Sequence, residues 1–194
     1  TPNDFKKSVP LSVEYGSATW YNPMNGDITP AEVIDNKVLI NLRSGESRIL
    51  VTDGTATSSA PTAPNKKEAA TSSYETIVIN TPWTLSFMES APKVEKTFTL
   101  PTAQTWEGLD DDAVKVTMGT GVYTTTIKLD KKQAARKWEI DLGDVRESAR
   151  VYINGKYIGC AWAVPFVLDC KDALKKGENE IRIEVTNLPA NRIA

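Results

Sequence analysis

Apolar side chains recur at every second position through most of the chain, and this alternation constrains the fold more than any other feature. A period of two with polar residues between predicts strands that have one face on a core and the other in water. Several such strands separated by turn residues predict an all-β protein, with a β-sandwich or jelly roll as its architecture. The segments that share the pattern have their apolar positions at Val38, Ile40 and Leu42; Trp83, Leu85 and Phe87; Val114, Val116 and Met118; Tyr123, Ile127 and Leu129; Trp138, Ile140 and Leu142; Val151 and Ile153; and Ile181, Ile183 and Val185.

Two turn signals interrupt the alternation in the second half of the chain. Asn154-Gly155 stands between two short apolar runs, and this dipeptide tolerates the positive φ angles of a type I′ turn. We therefore predict a tight hairpin there. The stretch from Lys171 to Gly177 is typical of a single helical turn stopped by glycine, which would cover one end of the sandwich.

Composition divides the chain into three parts. Serine, threonine, alanine and proline dominate residues 54–73, which is typical of a linker or a long exposed loop. Residues 1–53 form a small β segment, and residues 74–194 form a fuller β-sandwich. Because a sheet of few strands is marginal alone, we expect the first segment to complete a sandwich that begins upstream. The chain starts at Thr1, so we expect it to be part of a longer product.

The absence of histidine narrows the chemistry that the chain can perform. None of its 194 residues is histidine, which excludes Ser–His and Cys–His nucleophile pairs and imidazole zinc sites. No Walker-type or G-x-G-x-x-G loop is present. The remaining common routes to catalysis are a carboxylate pair, a lysine or a tyrosine.

Charge and hydropathy exclude two classes of partner. The formal net charge is −2, with 23 basic and 25 acidic residues, which argues against nucleic acid or an anionic membrane as the main partner. The longest apolar run, around residues 161–168, is too short to span a bilayer. No segment has the pattern of a signal peptide.

The two cysteines, Cys160 and Cys170, allow two interpretations. In an exported protein they could form a disulfide that closes a short loop, which would stabilise the fold by roughly 2–3 kcal/mol. The alternative is two small buried thiols. Their spacing does not decide between the two.

Residues 138–151 are followed by Ile153-Asn154-Gly155-Lys156 and then by Pro165-Phe166. With these motifs, the stretch from Trp138 onward resembles the C-terminal galactose-binding-like β-sandwich of glycoside hydrolase family 106, the α-L-rhamnosidases. A looser form of the pattern, with Asn154-Gly155, Pro165-Phe166, Asp169 and Gly177-Glu178-Asn179, is similar to the sugar-binding-like domains of family 2 glycosidases. The likeness extends over most of residues 17–194. The segments that carry it most specifically are residues 138–151, 153–156, 159, 162–166, 168–169, 177–179, 183–188 and 191–192; residues 21–26, 42–47, 106, 110–112 and 119–123 add to it.

This resemblance implies a parent enzyme rather than an activity of this chain. The family's catalytic barrel, which carries its acid and base glutamates, has no counterpart here, and residues 54–73 match nothing in the family. The expected location is secreted or periplasmic. Likeness of fold alone does not license an activity.

Three kinds of candidate site remain. No spacing selects a catalytic carboxylate pair, so we name no catalytic residue and expect solvated loop acids. Asp110, Asp111 and Asp112 are either a structural calcium site or a simple acidic turn, with no other cofactor expected. Trp106 and Trp162 lie in loop-like settings, where they could stack on a sugar or could cap the sandwich and pack on a neighbouring domain.

Three functional hypotheses follow. The first is a non-catalytic accessory region that supports the catalytic domain of a glycoside hydrolase and contacts glycan. The second is a free-standing carbohydrate-binding module. The third is an active glycosidase fragment, which the missing barrel disfavours. The expected partner is therefore carbohydrate or a neighbouring catalytic domain.

Overall fold

A computed structural model describes residues 5–12, 16–54, 75–145 and 147–189 of the chain. Strands dominate these residues, which confirms the all-β prediction. The chain divides into two compact units, Thr1–Thr76 (unit 1) and Ile77–Ala194 (unit 2). The predicted linker at 54–73 lies outside the described residues except for Gly54, and so does the family-like pair at 191–192.

Unit 1 contains two small antiparallel sheets. One has the strand order β1-β5-β4 and the other the order β3-β2-β6. Val38 is the one hydrophobic side chain that is buried among this unit's described residues. The six strands are β1 (Phe5–Pro10), β2 (Ser17–Tyr21), β3 (Ile28–Pro30), β4 (Val33–Ile34), β5 (Lys37–Leu42) and β6 (Ile49–Asp53).

Unit 2 is built on one large antiparallel sheet. Its strand order is β12-β11-β14-β9-β7-β8, and a separate two-stranded sheet joins β10 to β13. The two longest strands, β9 and β14, pair along ten positions from Gly177 opposite Leu129 to Thr186 opposite Thr120. The elements are β7 (Trp83–Ala91), β8 (Phe98–Leu100), α1 (Asp112–Lys115), β9 (Met118–Leu129), α2 (Lys131–Ala134), β10 (Glu139–Asp141), β11 (Ser148–Ile153), β12 (Lys156–Ala161), β13 (Val167–Asp169) and β14 (Gly177–Thr186).

The core of unit 2 lies against one face of the large sheet. Alternate residues of its central strands are buried there, as the period of two requires. The covering layer consists of β10, β13, the 3₁₀ turn at Trp106–Gly108, helix α1 and the adjoining turns, rather than a second large sheet. The buried side chains of this core are Trp83, Leu85, Val94, Leu100, Trp106, Val114, Tyr123, Ile140, Val151, Ile153, Ile158, Cys170, Ala173 and Ile181.

The strand predicted at Val114, Val116 and Met118 is wrong over its first half. Residues Asp112–Lys115 form helix α1, and strand β9 begins only at Met118. The Asp111 side chain accepts hydrogen bonds from the backbone N–H groups of Ala113 and Val114, which caps the helix. A capping aspartate before a single helical turn therefore overrides the local alternation.

The hairpin predicted at Asn154-Gly155 is confirmed. Asn154 has φ of 52° and Gly155 has φ of 77°, and the turn joins the antiparallel strands β11 and β12. These positive φ angles are what a type I′ turn requires. Between Val151 and Tyr152 the register of the hairpin shifts by a bulge.

The helical turn predicted from Lys171 is wrong, because side-chain hydrogen bonds hold this loop instead. Lys171 itself has φ of 50°, which breaks a right-handed helix. The fully buried Asn179 amide accepts hydrogen bonds from Lys175 N and Asn154 Nδ2, and it donates to the carbonyls of Lys175 and Gly177. Asn154 also donates to the Ala173 carbonyl. One buried amide thus ties the loop to the hairpin.

Candidate functional site

The loop at residues 162–166 presents an apolar surface, and buried residues at both of its ends hold it in place. Trp162 is 52% exposed and Val164 is also exposed. On either side of them, Ala161 and Phe166 are buried in a small core cluster with Val145 and Ala149. The Leu142 backbone N–H donates to the Phe166 carbonyl at 3.0 Å, which fastens the end of the loop. Trp162 is therefore held at the surface, as the prediction of an available ring requires.

Trp106 is not a surface ring, so its predicted role as a stacking platform is wrong. Only 4% of it is exposed. It lies in a 3₁₀ turn, Trp106–Gly108, and packs between Phe87 at 5.5 Å and Tyr123 at 6.4 Å between ring centroids. Gly121 makes room for it, because a Cβ there would lie 2.7 Å from the indole. The interpretation of Trp106 as a cap on the sandwich agrees with this packing.

The three aspartates predicted as a calcium site do not converge. Asp111 caps α1, and its other oxygen accepts from Lys96 Nζ at 2.7 Å. Asp110 and Asp112 extend into solvent beside Lys115. Within the described residues no group of three or more Asp, Glu, Cys or His side chains is placed to hold a metal ion. This placement favours the alternative of an acidic turn, in which Asp111 caps the helix.

The charges and hydrogen bonds around Asp111 change its pKa. The hydrogen bond and charge of Lys96, together with the backbone N–H groups of α1, lower the pKa of Asp111 from its ordinary value. The lowered pKa extends to more acidic solutions the pH range in which this carboxylate is ionised. Its oxygens are already engaged by the protein, which leaves little capacity to coordinate an ion.

The possible disulfide is absent, because Cys160 and Cys170 are both free thiols. Cys160 lies opposite Arg150 in the β11–β12 pair, between the core-facing Gly159 and Ala161, so its side chain points to the outward face of the large sheet. Cys170 belongs to the core. The two sulfur atoms are thus on opposite sides of one sheet. Burial, with the nearby carboxylates of Asp169 and Glu139, raises the pKa of Cys170 to about 11.

The structure places two carboxylates opposite each other, which the sequence did not predict. Glu139 and Asp169 face each other across the β10–β13 pair. Both side chains are exposed, and Asp169 Oδ1 accepts from the Lys171 backbone N–H at 2.7 Å. A glycosidase needs one of its two carboxyl groups in a shielded setting that keeps it protonated. The exposed setting of this pair does not supply that shielding.

Tyr123 is likewise unsuited to acid–base work. Its hydroxyl donates to the Gln104 carbonyl at 2.9 Å inside the core. Burial, and secondarily the Glu107 carboxylate, raises the pKa of Tyr123 above its ordinary value. The phenol therefore remains neutral and contributes to packing.

A polar cluster on the outward face of the large sheet also escaped prediction. Tyr152, Tyr157 and Arg182 occupy neighbouring positions on β11, β12 and β14, and Arg150 lies beside Glu184 in the next row. We call these five residues the tyrosine–arginine cluster. The sequence of each strand indicates that these side chains face outward, because they alternate with buried apolar ones. Only the strand order brings them together.

Unit 1 has an open groove of its own. Its lining mixes apolar and polar side chains from β2, β3 and β5 and from the turn that precedes β6. The lining residues are Trp20, Thr29, Leu39, Ile40, Asn41, Leu42 and Arg48.

The matches to known proteins concentrate on unit 2. Residues 105–193 match the family model described as glycosyl hydrolase 2 galactose-binding domain-like. This part of the chain is therefore similar to the galactose-binding-like domains that the family model describes. A protein of Formosa agariphila, whose name attributes β-glucuronidase activity to it, is 38% identical over 92 residues, which are 46% of this chain and 8% of that protein.

One solved structure extends the likeness of fold to unit 1. A rhamnosidase from Novosphingobium sp. PP1Y aligns with 100% of this chain and 18% of its own, with a TM-score of 0.71 and 20% identity. At that identity the likeness is one of fold. A β-glucuronidase from an uncultured Clostridium species aligns with 57% of this chain and 22% of its own, with 19% identity and a TM-score of 0.49. The chain thus spans less than a quarter of the length of each of these proteins.

No helix among the described residues is long and apolar enough to cross a membrane.

Proposed function

We propose that this chain is a non-catalytic accessory region of an α-L-rhamnosidase-like glycoside hydrolase, of the family 106 kind that its motifs resemble. Unit 2 supports the catalytic domain through the apolar loop at residues 162–166. The parent enzyme acts in the periplasm or outside the cell. One observation carries the proposal. The whole chain, both units included, aligns in fold with one rhamnosidase, and the aligned part is less than a fifth of that enzyme.

The exposed loop favours a protein partner. Trp162 and Val164 present apolar surface, and the neighbouring Ala163 adds no polar group. Tryptophan at an interface excludes water over a large area, and contacts between domains of one chain bury surfaces of this kind. The buried Phe166 holds the loop in place, so docking costs little conformational entropy.

The chemistry of the described residues supports a role without catalysis. The opposed pair Glu139 and Asp169 is exposed, Tyr123 is locked in the core, and the Cys170 thiol is buried and protonated. None of these groups has the shielded and accessible setting that general acid–base or nucleophilic catalysis requires.

The test uses the full-length protein that contains this chain. Trp162→Ala combined with Val164→Ser should lower the melting temperature of the catalytic domain and reduce hydrolysis of an aryl glycoside. Val116→Ser, at an exposed apolar site that follows α1, serves as the matched control and should change neither.

Two results would contradict the proposal. One is a catalytic domain whose stability and activity are the same with and without the exposed loop residues. The other is turnover of aryl α-L-rhamnoside or β-D-glucuronide by this chain alone, with loss of that turnover in Glu139→Gln or Asp169→Asn.

A free-standing carbohydrate-binding module is the second candidate, and the exposed Trp162 ring is the observation that favours it. A tryptophan face can stack on the apolar side of a pyranose. In that case Trp162→Ala would abolish glycan retention by the isolated chain while leaving its unfolding free energy unchanged.

A further inference from the structure

The tyrosine–arginine cluster forms two rows across the outward face of the large sheet. In the first row Tyr157 lies opposite Tyr152, which lies opposite Arg182, and the row continues to Thr124 on β9. In the second row Arg150 lies opposite Glu184. Neighbouring strands are about 4.8 Å apart, so the four strands of the first row span roughly 14 Å.

Interactions within the cluster hold its side chains in fixed positions. Glu184 is only 5% exposed although it is on the solvent side of the sheet. Arg182 forms an ion pair with it, Arg150 Nη1 lies 4.0 Å from its Oε2, and the Tyr152 hydroxyl is 3.5 Å away. The Arg182 guanidinium also lies 4.9 Å from the centroid of the Tyr152 ring, within the range of a cation–π contact.

Tyr157 on the edge strand β12 and Arg150 on the neighbouring strand β11 remain open to a ligand. The Tyr157 ring packs on Tyr152 with 5.4 Å between centroids and an interplanar angle of 55°, yet Tyr157 stays 52% exposed. The Arg150 side chain is 62% exposed, and its distance to Glu184 is long for a hydrogen bond. A supported aromatic face thus stands beside guanidinium donors that can bind a further acceptor.

The charges on this part of the face cancel. Arg150 and Arg182 are balanced by Glu184 and by Glu180, which shares the outward side of β14. A balanced surface offers no long-range attraction to a polyanion. An exposed aromatic ring with a few fixed hydrogen-bonding groups suits a neutral pyranose, whose apolar face stacks while its hydroxyl groups are bound.

We infer that the tyrosine–arginine cluster is a binding site for a neutral pyranose polysaccharide, with Tyr157 as the stacking platform and Arg150 as the main hydroxyl ligand. The inference rests on the carbohydrate context of the proposed function but not on docking through Trp162. It places glycan on the sheet face rather than on the loops at the end of the sandwich.

Affinity electrophoresis of the whole chain tests the site. The gels contain β-1,4-galactan, rhamnan or mixed-linkage β-glucan as neutral probes, or polygalacturonate as the anionic probe. At least one neutral polysaccharide should retard the chain. Tyr157→Ala should weaken this retardation about ten-fold in apparent Kd, and Tyr157→Phe, which keeps the ring, should largely preserve it.

Control variants separate this site from the others. Tyr21→Ala removes an exposed tyrosine of unit 1 and should leave retardation unchanged. Trp162→Ala should also leave it unchanged, even if that variant impairs the parent enzyme as the proposed function expects. Far-ultraviolet circular dichroism checks that each variant is folded.

Three outcomes would overturn the inference. The first is that none of the three neutral polysaccharides retards the wild-type chain. The second is retardation that survives Tyr157→Ala in a folded protein or is lost in Trp162→Ala instead. The third is retardation by polygalacturonate alone that disappears as salt is added, which would indicate charge attraction without a sugar site.

Discussion

The two units are both made of antiparallel strands, yet they differ in what those strands enclose. The longest strands of unit 1 have 6 residues, whereas β9 and β14 of unit 2 have 12 and 10. Unit 1 buries Val38 alone among its described hydrophobic residues, while unit 2 surrounds a core of at least 14 buried residues. The large hydrophobic residues that unit 1 exposes are Phe5, Tyr21, Ile28, Ile34, Ile49 and Val51.

This difference shows that alternation makes strands but does not by itself make a core. Unit 2 adds a covering layer, in which the 3₁₀ turn, α1 and β10 each place a large side chain on the sheet. Unit 1 has two sheets of three short strands, and sheets of that size bury little apolar surface. The stability of the chain should therefore reside in unit 2.

The largest expected difference between the units concerns matched leucines. Leu85 on β7 is fully buried, and Leu85→Ala should lower the unfolding free energy by about 3–5 kcal/mol because it leaves a cavity. Leu50 on β6 is only half-buried, and Leu50→Ala should cost about 1 kcal/mol or less. Urea unfolding followed by tryptophan fluorescence measures both. Equal losses would break the comparison.

A buried side-chain amide in unit 2 and an exposed one in unit 1 give the second contrast. Asn179→Ala leaves the backbone groups of Lys175 and Gly177 and the Asn154 amide without their partner, so it should destabilise unit 2 by about 2–4 kcal/mol. Asn25→Ala in unit 1 removes an exposed side chain and should cost about 1 kcal/mol or less. Chemical denaturation checks both values. A loss below about 1 kcal/mol for Asn179→Ala would mean that the loop does not depend on this amide.

Glycine-to-alanine substitutions test how tightly the side chains of the two units pack. In Gly121→Ala the new Cβ would lie 2.7 Å from the Trp106 ring and 3.2 Å from Leu85, so overpacking should cost about 1–3 kcal/mol. Gly54→Ala in unit 1 meets no atom within 4 Å and should be neutral within about 0.5 kcal/mol. Thermal melting compares the two. If Gly121→Ala is equally neutral, the Trp106 pocket is looser than the structure shows.

The smallest expected effects concern two aspartates whose pKa values are lowered. Ser17 hydrogen bonds lower the pKa of Asp53 in unit 1, and Lys96 lowers that of Asp111 in unit 2. A lowered folded pKa stabilises the protein above the ordinary value of 3.8, and the contribution is lost as the pH falls through the folded value. Asp53→Asn and Asp111→Asn should therefore each lower stability at pH 7 and flatten its decline in acid.

The dependence of stability on salt concentration should differ between these two aspartates. Asp111 pairs with a lysine, so its contribution should shrink in 1 M NaCl, whereas Asp53 is bound by neutral groups and should respond little. Melting curves of the two variants in low and high salt measure this. A salt response of equal size at both positions would show that the Lys96 pair adds nothing.

The sequence predicted the parts of the fold that depend on local pattern. Alternation located β5, β7, β9, β10, β11 and β14, and Asn154-Gly155 located the hairpin, because backbone geometry there follows from neighbouring residues. Alternation failed at Val114, where the Asp111 cap starts a helical turn. The helical turn predicted at residues 171–177 failed for another reason, because the conformation of this loop depends on the Asn179 amide, eight residues after Lys171.

Candidate site residues were harder to predict, because exposure is decided by tertiary packing. Trp106 and Trp162 both lie in loop-like sequence, yet Trp106 is buried in the core and Trp162 is exposed to solvent. The cluster around Tyr157 was missed because its members come from three strands whose neighbours cannot be read from spacing. The two cysteines illustrate the same point, since Cys160 is on the outward face of the large sheet whereas Cys170 follows β13 and is buried in the core.

Amide hydrogen exchange of the whole chain, resolved by peptide mass spectrometry, tests most directly whether the interior of unit 2 holds the protein together. The amides of β9 and β14 should exchange slowest, near the rate of global unfolding, and those of β2, β5 and β6 should exchange at least about ten-fold faster through local opening. Protection of the unit 1 strands equal to that of β9 and β14 would contradict this division of stability.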